Sequence, residues 1–181
     1  MLKNLVITLS ILVIVGAGCF QNNTNQTSGG SVDIKEGIAV GDLAPNFVLD
    51  DMEGNEVSLN DLRGQIVFID FWASWCPFCL KEMVEIEEFS DKYDDVVVLG
   101  IHRSESETID DVSSFLEETG VTYPILLDSE GEVFGAYSGG RPLMPLAYVL
   151  DKDGVIKERL FGPKTVDQME AIINSLIDSY E

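Results

Sequence analysis

Two cysteines three positions apart, Cys76 and Cys79, stand where the apolar run "QIVFIDFW" gives way to a stretch mixing apolar and charged residues at helical spacing. This junction constrains the chain more than any other part of it. A nearly continuous apolar run fits a strand buried on both faces. The stretch after it, with Leu80, Met83, Val84 and Phe89 among charges, predicts a helix from about Cys76 to Tyr93. The pair therefore falls at a strand-to-helix handover. Zinc takes about four ligands, and two thiols with the lone His102 do not supply them. Iron–sulfur ligation fails by the same count. A purely structural bridge would close a very short loop and constrain the unfolded chain little. What remains is a redox-active dithiol.

The rest of the chain alternates. "PNFVLDDMEGNEVSLNDLRG" predicts a hairpin, with extended pieces near Phe47–Leu49 and Glu56–Ser58 around the turn at Glu53-Gly54-Asn55. "VVVLGIH" reads as a second buried strand. "ETIDDVSSFLEETG" reads as a helix from about Thr108, with Ile109, Val112, Phe115 and Leu116 on one face and Gly120 as its stop. "YPILLD" is a strand and "SEGEVFGAYS" a short helix or turn. "LAYVLDKDGVIKERLFG" turns back on itself at Lys152-Asp153-Gly154, and "TVDQMEAIINSLIDSY" closes the chain as a helix capped by Thr165. Hairpin, β-α-β-α-β-α, then β-β-α makes an α/β fold: a central mixed sheet with helices on both faces.

Only residues 39–181 belong to this domain by the sequence. Lys3, the apolar run Leu5–Ala17 and the small residues after it have the form of an export signal, shorter than the about 20 residues a membrane span needs. "GAGC" at Gly16–Cys19 resembles the lipobox of prokaryotic lipoproteins, which implies a signal peptide over residues 1–19 and lipid on Cys19. Plain secretion or an uncleaved anchor are the alternatives. Residues 20–38 are polar and lack apolar periodicity, as a flexible linker does; Asn22 and Asn25 each open an N-x-T triplet within it. The net charge of −21, from 32 acidic and 11 basic residues, repels phosphate backbones and excludes nucleic acid as a partner.

The junction has a chemical logic of its own. A thiol at a helix N-terminus meets unpaired N–H groups and the positive end of the helix dipole, and both favour thiolate. Cys76 is thus the attacking sulfur, and Cys79, a turn further on, resolves the mixed disulfide. Pro77 suits the first helical turn. Asp70 interrupts the apolar run; burial there would raise its pKa into a range useful for moving a proton to or from Cys79. Glu82 and Glu85 read as a solvated helix face, His102 as structural, and Arg141 as a loop charge. Trp72 reads as core, whereas Trp75 and Phe78 are candidates for an apolar contact surface.

"DFWASWCPFC" resembles the thioredoxin active-site segment. "GDLAPNFVLDDMEGNEVSLNDLRGQIVFIDFWASWC", "YPILLDSEGEVFGAYS" and "MPLAYVLDKDGVI" are similar to exported thioredoxin-like reductases of the TlpA/ResA branch and to the broader redoxin (AhpC/TSA-like) group, over about Gly41 to the C-terminus. The resemblance implies a thioredoxin-like fold with an N-terminal β-hairpin and a helix–strand insert, and thiol–disulfide oxidoreductase activity that needs no bound cofactor. It implies a cis Pro145 beside the dithiol, with Met144 offering backbone hydrogen bonds to substrate. Trp75, Pro77, Phe78, Met144 and Pro145 then form the substrate-binding set, and Cys76, Cys79 and Asp70 the catalytic one. Asp70 matches the buried acid of thioredoxin, where the TlpA/ResA branch commonly has an uncharged residue. The implied partners are protein disulfide substrates, apocytochromes among them, and a membrane thiol-electron donor of the CcdA/DsbD kind. Two other classes stay open: a thiol peroxidase, disfavoured by Ala73 where peroxiredoxins place Thr or Ser, and a surface module binding a soft metal such as Cu(I).

Overall fold

The computed structural model describes residues 34–103, 105 and 107–180. The expected signal peptide, Cys19, Asn22 and Asn25 lie outside the described residues. Backbone bonds from Gly37 N–H to Leu43 O and from Leu43 N–H to Lys35 O engage the chain just before the start expected at residue 39.

Seven strands form one sheet: β1 (Val48–Asp51), β2 (Glu56–Ser58), β3 (Ile66–Trp72), β4 (Val96–Arg103), β5 (Ile125–Asp128), β6 (Leu146–Leu150) and β7 (Ile156–Phe161), in the order β2-β1-β5-β4-β3-β6-β7. Among the described residues four α-helices accompany them, α1 (Pro77–Ser90), α2 (Ile109–Thr119), α3 (Glu132–Ser138) and α4 (Val166–Asp178), with a 3-10 turn at Leu59–Leu62. This is the expected sequence of elements, with α2 and β5 as the helix–strand insert. The helix expected from Cys76 to Tyr93 is shorter at both ends, since Cys76 is its cap rather than its first residue. α2 opens with a capping box between Thr108 and Asp111 and stops at Gly120, whose φ of 70° a side chain would resist. Thr165 and Gln168 form the corresponding box on α4.

β3 lies at the centre, parallel to β4 and antiparallel to β6. Every residue in it is buried, which explains its uninterrupted apolar run. Side chains alternate across the sheet. Phe68 and Trp72 join the cluster beneath α1 and α4, with Met83, Ile86, Met169 and Ile173. Val67, Ile69 and Phe71 join the opposite cluster, with Phe134 and Tyr137 of α3. Asp70 falls between Phe68 and Trp72 and so faces the α1 layer, the layer that also contains both cysteines of the pair.

Candidate active site

The last residue of β3 is Trp72, and α1 begins at Pro77, so four residues make the handover. Cys76 caps the helix in an extended conformation, and its Sγ accepts the Cys79 backbone N–H at 3.2 Å. Cys76 and Cys79 are joined in a disulfide, with Cα atoms 5.3 Å apart. Proline at the first helical position costs no hydrogen bond, because that N–H has no partner within a helix. In this oxidised state Cys76 is 3% exposed and Cys79 fully buried. The helix-end N–H that reaches Cys76 Sγ would stabilise a thiolate there once the bond is reduced.

The rim around Cys76 is apolar and open. Trp75 is 55% exposed and Phe78 60%. Trp72, by contrast, is core: its ring stacks on Phe115 and lies 4.5 Å from the His102 ring. The Met144–Pro145 bond is cis, as the resemblance implied. Met144 packs against the cluster holding both cysteines, and Leu143 beside it is half exposed. Arg141 sits on the exposed loop before them.

On the same side of the sheet as the dithiol lies a charged group that the sequence revealed only in part. Asp70 is fully buried, with neither carboxylate oxygen hydrogen-bonded among the described residues. Its neighbours across the sheet are Gly100 and Ala147, whose small size leaves room for the carboxyl. Glu82, expected on a solvated face, is buried, 1% exposed. It is one turn beyond Cys79 on the same side of α1, so the helix carries it inward with the sulfur. Lys164, from the turn before α4, is itself buried; its Nζ forms a close ion pair with Glu82 and lies 3.9 Å from Asp70 Oδ1. Burial pushes the Asp70 carboxyl up to about 6 against the pull of Lys164. Burial and then the Asp70 charge push Glu82 up as well, again opposed by Lys164. Glu85 is half-buried and accepts the Val166 N–H at 2.9 Å, fastening α1 to the start of α4.

A second polar group braces the handover from its other side. Glu107 is bonded by the Ser74 hydroxyl and lies 2.5 Å from His102 Nε2. Burial lowers the His102 pKa, while Glu107 opposes the shift. The acid stands between the hydroxyl and the imidazole, so the imidazole is bonded to Glu107 and not to Ser74. The group instead ties the loop before Cys76 to the end of β4. Glu82 could have been found from its three-residue spacing to Cys79; nothing local to "GPKT" signals that Lys164 turns inward.

A dithiol at a helix N-terminus, a cis-proline loop beside it and buried carboxyls on the same side of the sheet define a thioredoxin-like thiol–disulfide oxidoreductase. The chain belongs to the AhpC/TSA family, whose model matches residues 40–159. It is 37% identical over 142 residues to the thiol-disulfide oxidoreductase ResA of Bacillus thuringiensis, covering 78% of this chain and 81% of that one. Identity is again 37%, over 144 residues, with ResA of Geobacillus kaustophilus, covering 78% and 80%. The fold superposes on StoA from Bacillus subtilis with a TM-score of 0.63 at 30% identity, covering 71% of this chain and 96% of StoA.

Proposed function

We propose that this oxidoreductase works outside the cytoplasm, on the outer face of the cytoplasmic membrane, tethered through lipid on Cys19. It takes electrons from a membrane thiol carrier of the CcdA/DsbD kind and passes them to disulfides of exported proteins, apocytochromes c among them. The observation that carries the thiol-exchange reading is the buried Asp70–Glu82–Lys164 group on the α1 side of the sheet, the side of the Cys76–Cys79 pair. It gives a reduced dithiol somewhere to put a proton. The export-type N-terminus supports the location, and the ResA relatives support the activity. Among the described residues no helix is long and apolar enough to cross a membrane.

The chemistry proceeds in two exchanges. The Cys76 thiolate attacks one sulfur of a substrate disulfide; an S–S bond forms to Cys76, and the other substrate sulfur leaves as a thiolate. Cys79 gives its proton to the buried acid group, and its sulfur attacks Cys76 Sγ. The Cys76–Cys79 bond forms, and the second substrate sulfur departs with its electron pair. The substrate disulfide is reduced to two thiols and the dithiol is oxidised. Cys76, Cys79 and Asp70 are the catalytic groups in this reading. Trp75, Pro77, Phe78, Met144 and Pro145 form the docking rim.

The test is insulin-disulfide reduction together with the Cys76/Cys79 potential against a glutathione buffer. A reductant has a potential well below that of the glutathione couple, and a potential above it reverses the proposed direction. Peroxide consumption in the same preparation tests the peroxidase alternative that the family match keeps in play, and rapid turnover there would displace the reductase reading. Loss of membrane association in a Cys19→Ala variant tests the tether.

A further inference from the structure

Lys164 is the one lysine or arginine buried among the described residues. It sits in the turn between β7 and α4, close to Glu82 on α1 and 3.9 Å from Asp70 on β3. Three elements therefore bring two carboxyls and one ammonium together on the α1 side of the sheet, the side that holds both cysteines. The other titratable groups facing this layer are Cys79 itself, Tyr123 before β5, whose buried hydroxyl feels the Asp70 charge, and Glu85, occupied by the α4 backbone. From β4 and β6 the residues opposite Asp70 are Gly100 and Ala147, neither of which titrates. No second buried cation among the described residues shares the charge.

We propose that Lys164 is a positioning residue of the thiol exchange, its ammonium holding one of the two carboxyls ionised so that the Asp70–Glu82 pair keeps a single proton and one open place for the proton of Cys79.

The argument is one of charge balance. Two carboxylates and one ammonium leave one net negative charge in a buried site, which is costly. Two protonated acids leave the ammonium unpaired, which costs as much. One retained proton makes the group neutral, and that proton belongs to the pair rather than to either residue. In the resolving step Cys79 gives its proton to the remaining carboxylate, and the sulfur is freed to attack Cys76. Without Lys164, both acids stay protonated to higher pH, and no base is ready at neutral pH.

This inference rests on the dithiol acting as proposed, and the experiment separates the two. The full-length reduced protein is mixed with an excess of a fluorescent disulfide peptide under single-turnover conditions from pH 5 to 10, and the rate of closing the Cys76–Cys79 bond is followed. If the unaltered protein does not reduce the peptide, the oxidoreductase reading fails and the inference with it. If it does, Lys164→Met moves the midpoint of the pH–rate profile upward by at least about one unit, a loss approaching tenfold in rate at pH values below the unaltered protein's midpoint and smaller above it. Lys164→Arg restores the midpoint. A uniform loss of rate at every pH, or an unmoved midpoint, assigns Lys164 a packing role and overturns the proposal. Should Lys164→Met not fold, Lys164→Gln against Lys164→Arg decides in the same way: Gln shifts the midpoint and Arg does not, or the proposal is wrong.

Discussion

At the scale of single residues, position on α1 divides the labour between the two sulfurs. Cys76 caps the helix beneath an open apolar rim, and Cys79 is sealed beneath it. A Cys79→Ala variant should accumulate mixed disulfides with protein substrates while insulin turnover falls to background; non-reducing gels check this, and their absence would count against Cys76 as the attacking thiol. Asp70 makes a second prediction, about stability. Its folded-state pKa is raised, from 3.8 to about 6. The unfolded chain therefore ionises first as pH rises, and the folded state loses stability between those values and no further above them. Below pH 3.8 both states are mostly protonated and the cost is small. Asp70→Asn should thus raise stability at pH 7, on the order of 1–3 kcal/mol by the usual conversion of a pKa shift, and leave it unchanged near pH 3.5. Urea melts of the oxidised protein at the two pH values measure it, and a variant destabilised equally at both would show that the carboxylate is not strained.

At the scale of elements, the pattern of apolar residues carried most of the fold, because each strand and helix buries a face whose period is written locally. β3 was legible from its run of seven buried residues, and α2 and α4 from their caps and one-sided apolar faces. Glu82 was misread because α1 is flanked by sheet, α2 and α4, and a charged residue on a helix is by default assigned to water. Only the tertiary arrival of Lys164 from another element makes its burial tolerable. Ser74 and Glu107 were invisible for the same reason: their link spans 33 residues and depends on where β4 ends. Asp70 needed a further element-level condition, small neighbours in β4 and β6. Gly100 meets this condition and also lets three side chains close over β4. A Cβ there would lie 2.6 Å from Ile125 Cδ1, 2.9 Å from Tyr123 Cε2 and 3.2 Å from Trp72 Nε1. Gly100→Ala should therefore cost about 1–3 kcal/mol, the usual range for overpacking a core, and thermal denaturation tests it. A neutral substitution would mean that the layer around Asp70 is looser than its contacts imply.

At the scale of the whole molecule, charge decides which partners approach the rim. Lys3 and Asp33, the charged residues of positions 1–33, cancel, so residues 34–181 carry the net −21. A field of that sign draws cationic partners and repels anionic ones over distances of a Debye length, about 30 Å at 0.01 M salt and 3 Å at 1 M. Trp75, Phe78 and Leu143 give the rim an apolar contact of no sign, so once a partner has arrived the discrimination ends. The selectivity should therefore appear in the second-order rate of forming the mixed disulfide and hardly in the rate of resolving it. Two disulfide peptides of equal length, one carrying lysines and one glutamates around the same cystine, separate the effects. At low salt the cationic peptide should react faster by roughly tenfold or more, within the range known for electrostatic steering. Raising salt to about 1 M should bring the two rates together, the cationic one falling and the anionic one rising. Equal rates at low salt would mean that the acidic surface faces away from the approach to Cys76, and that partner choice is made by the rim alone.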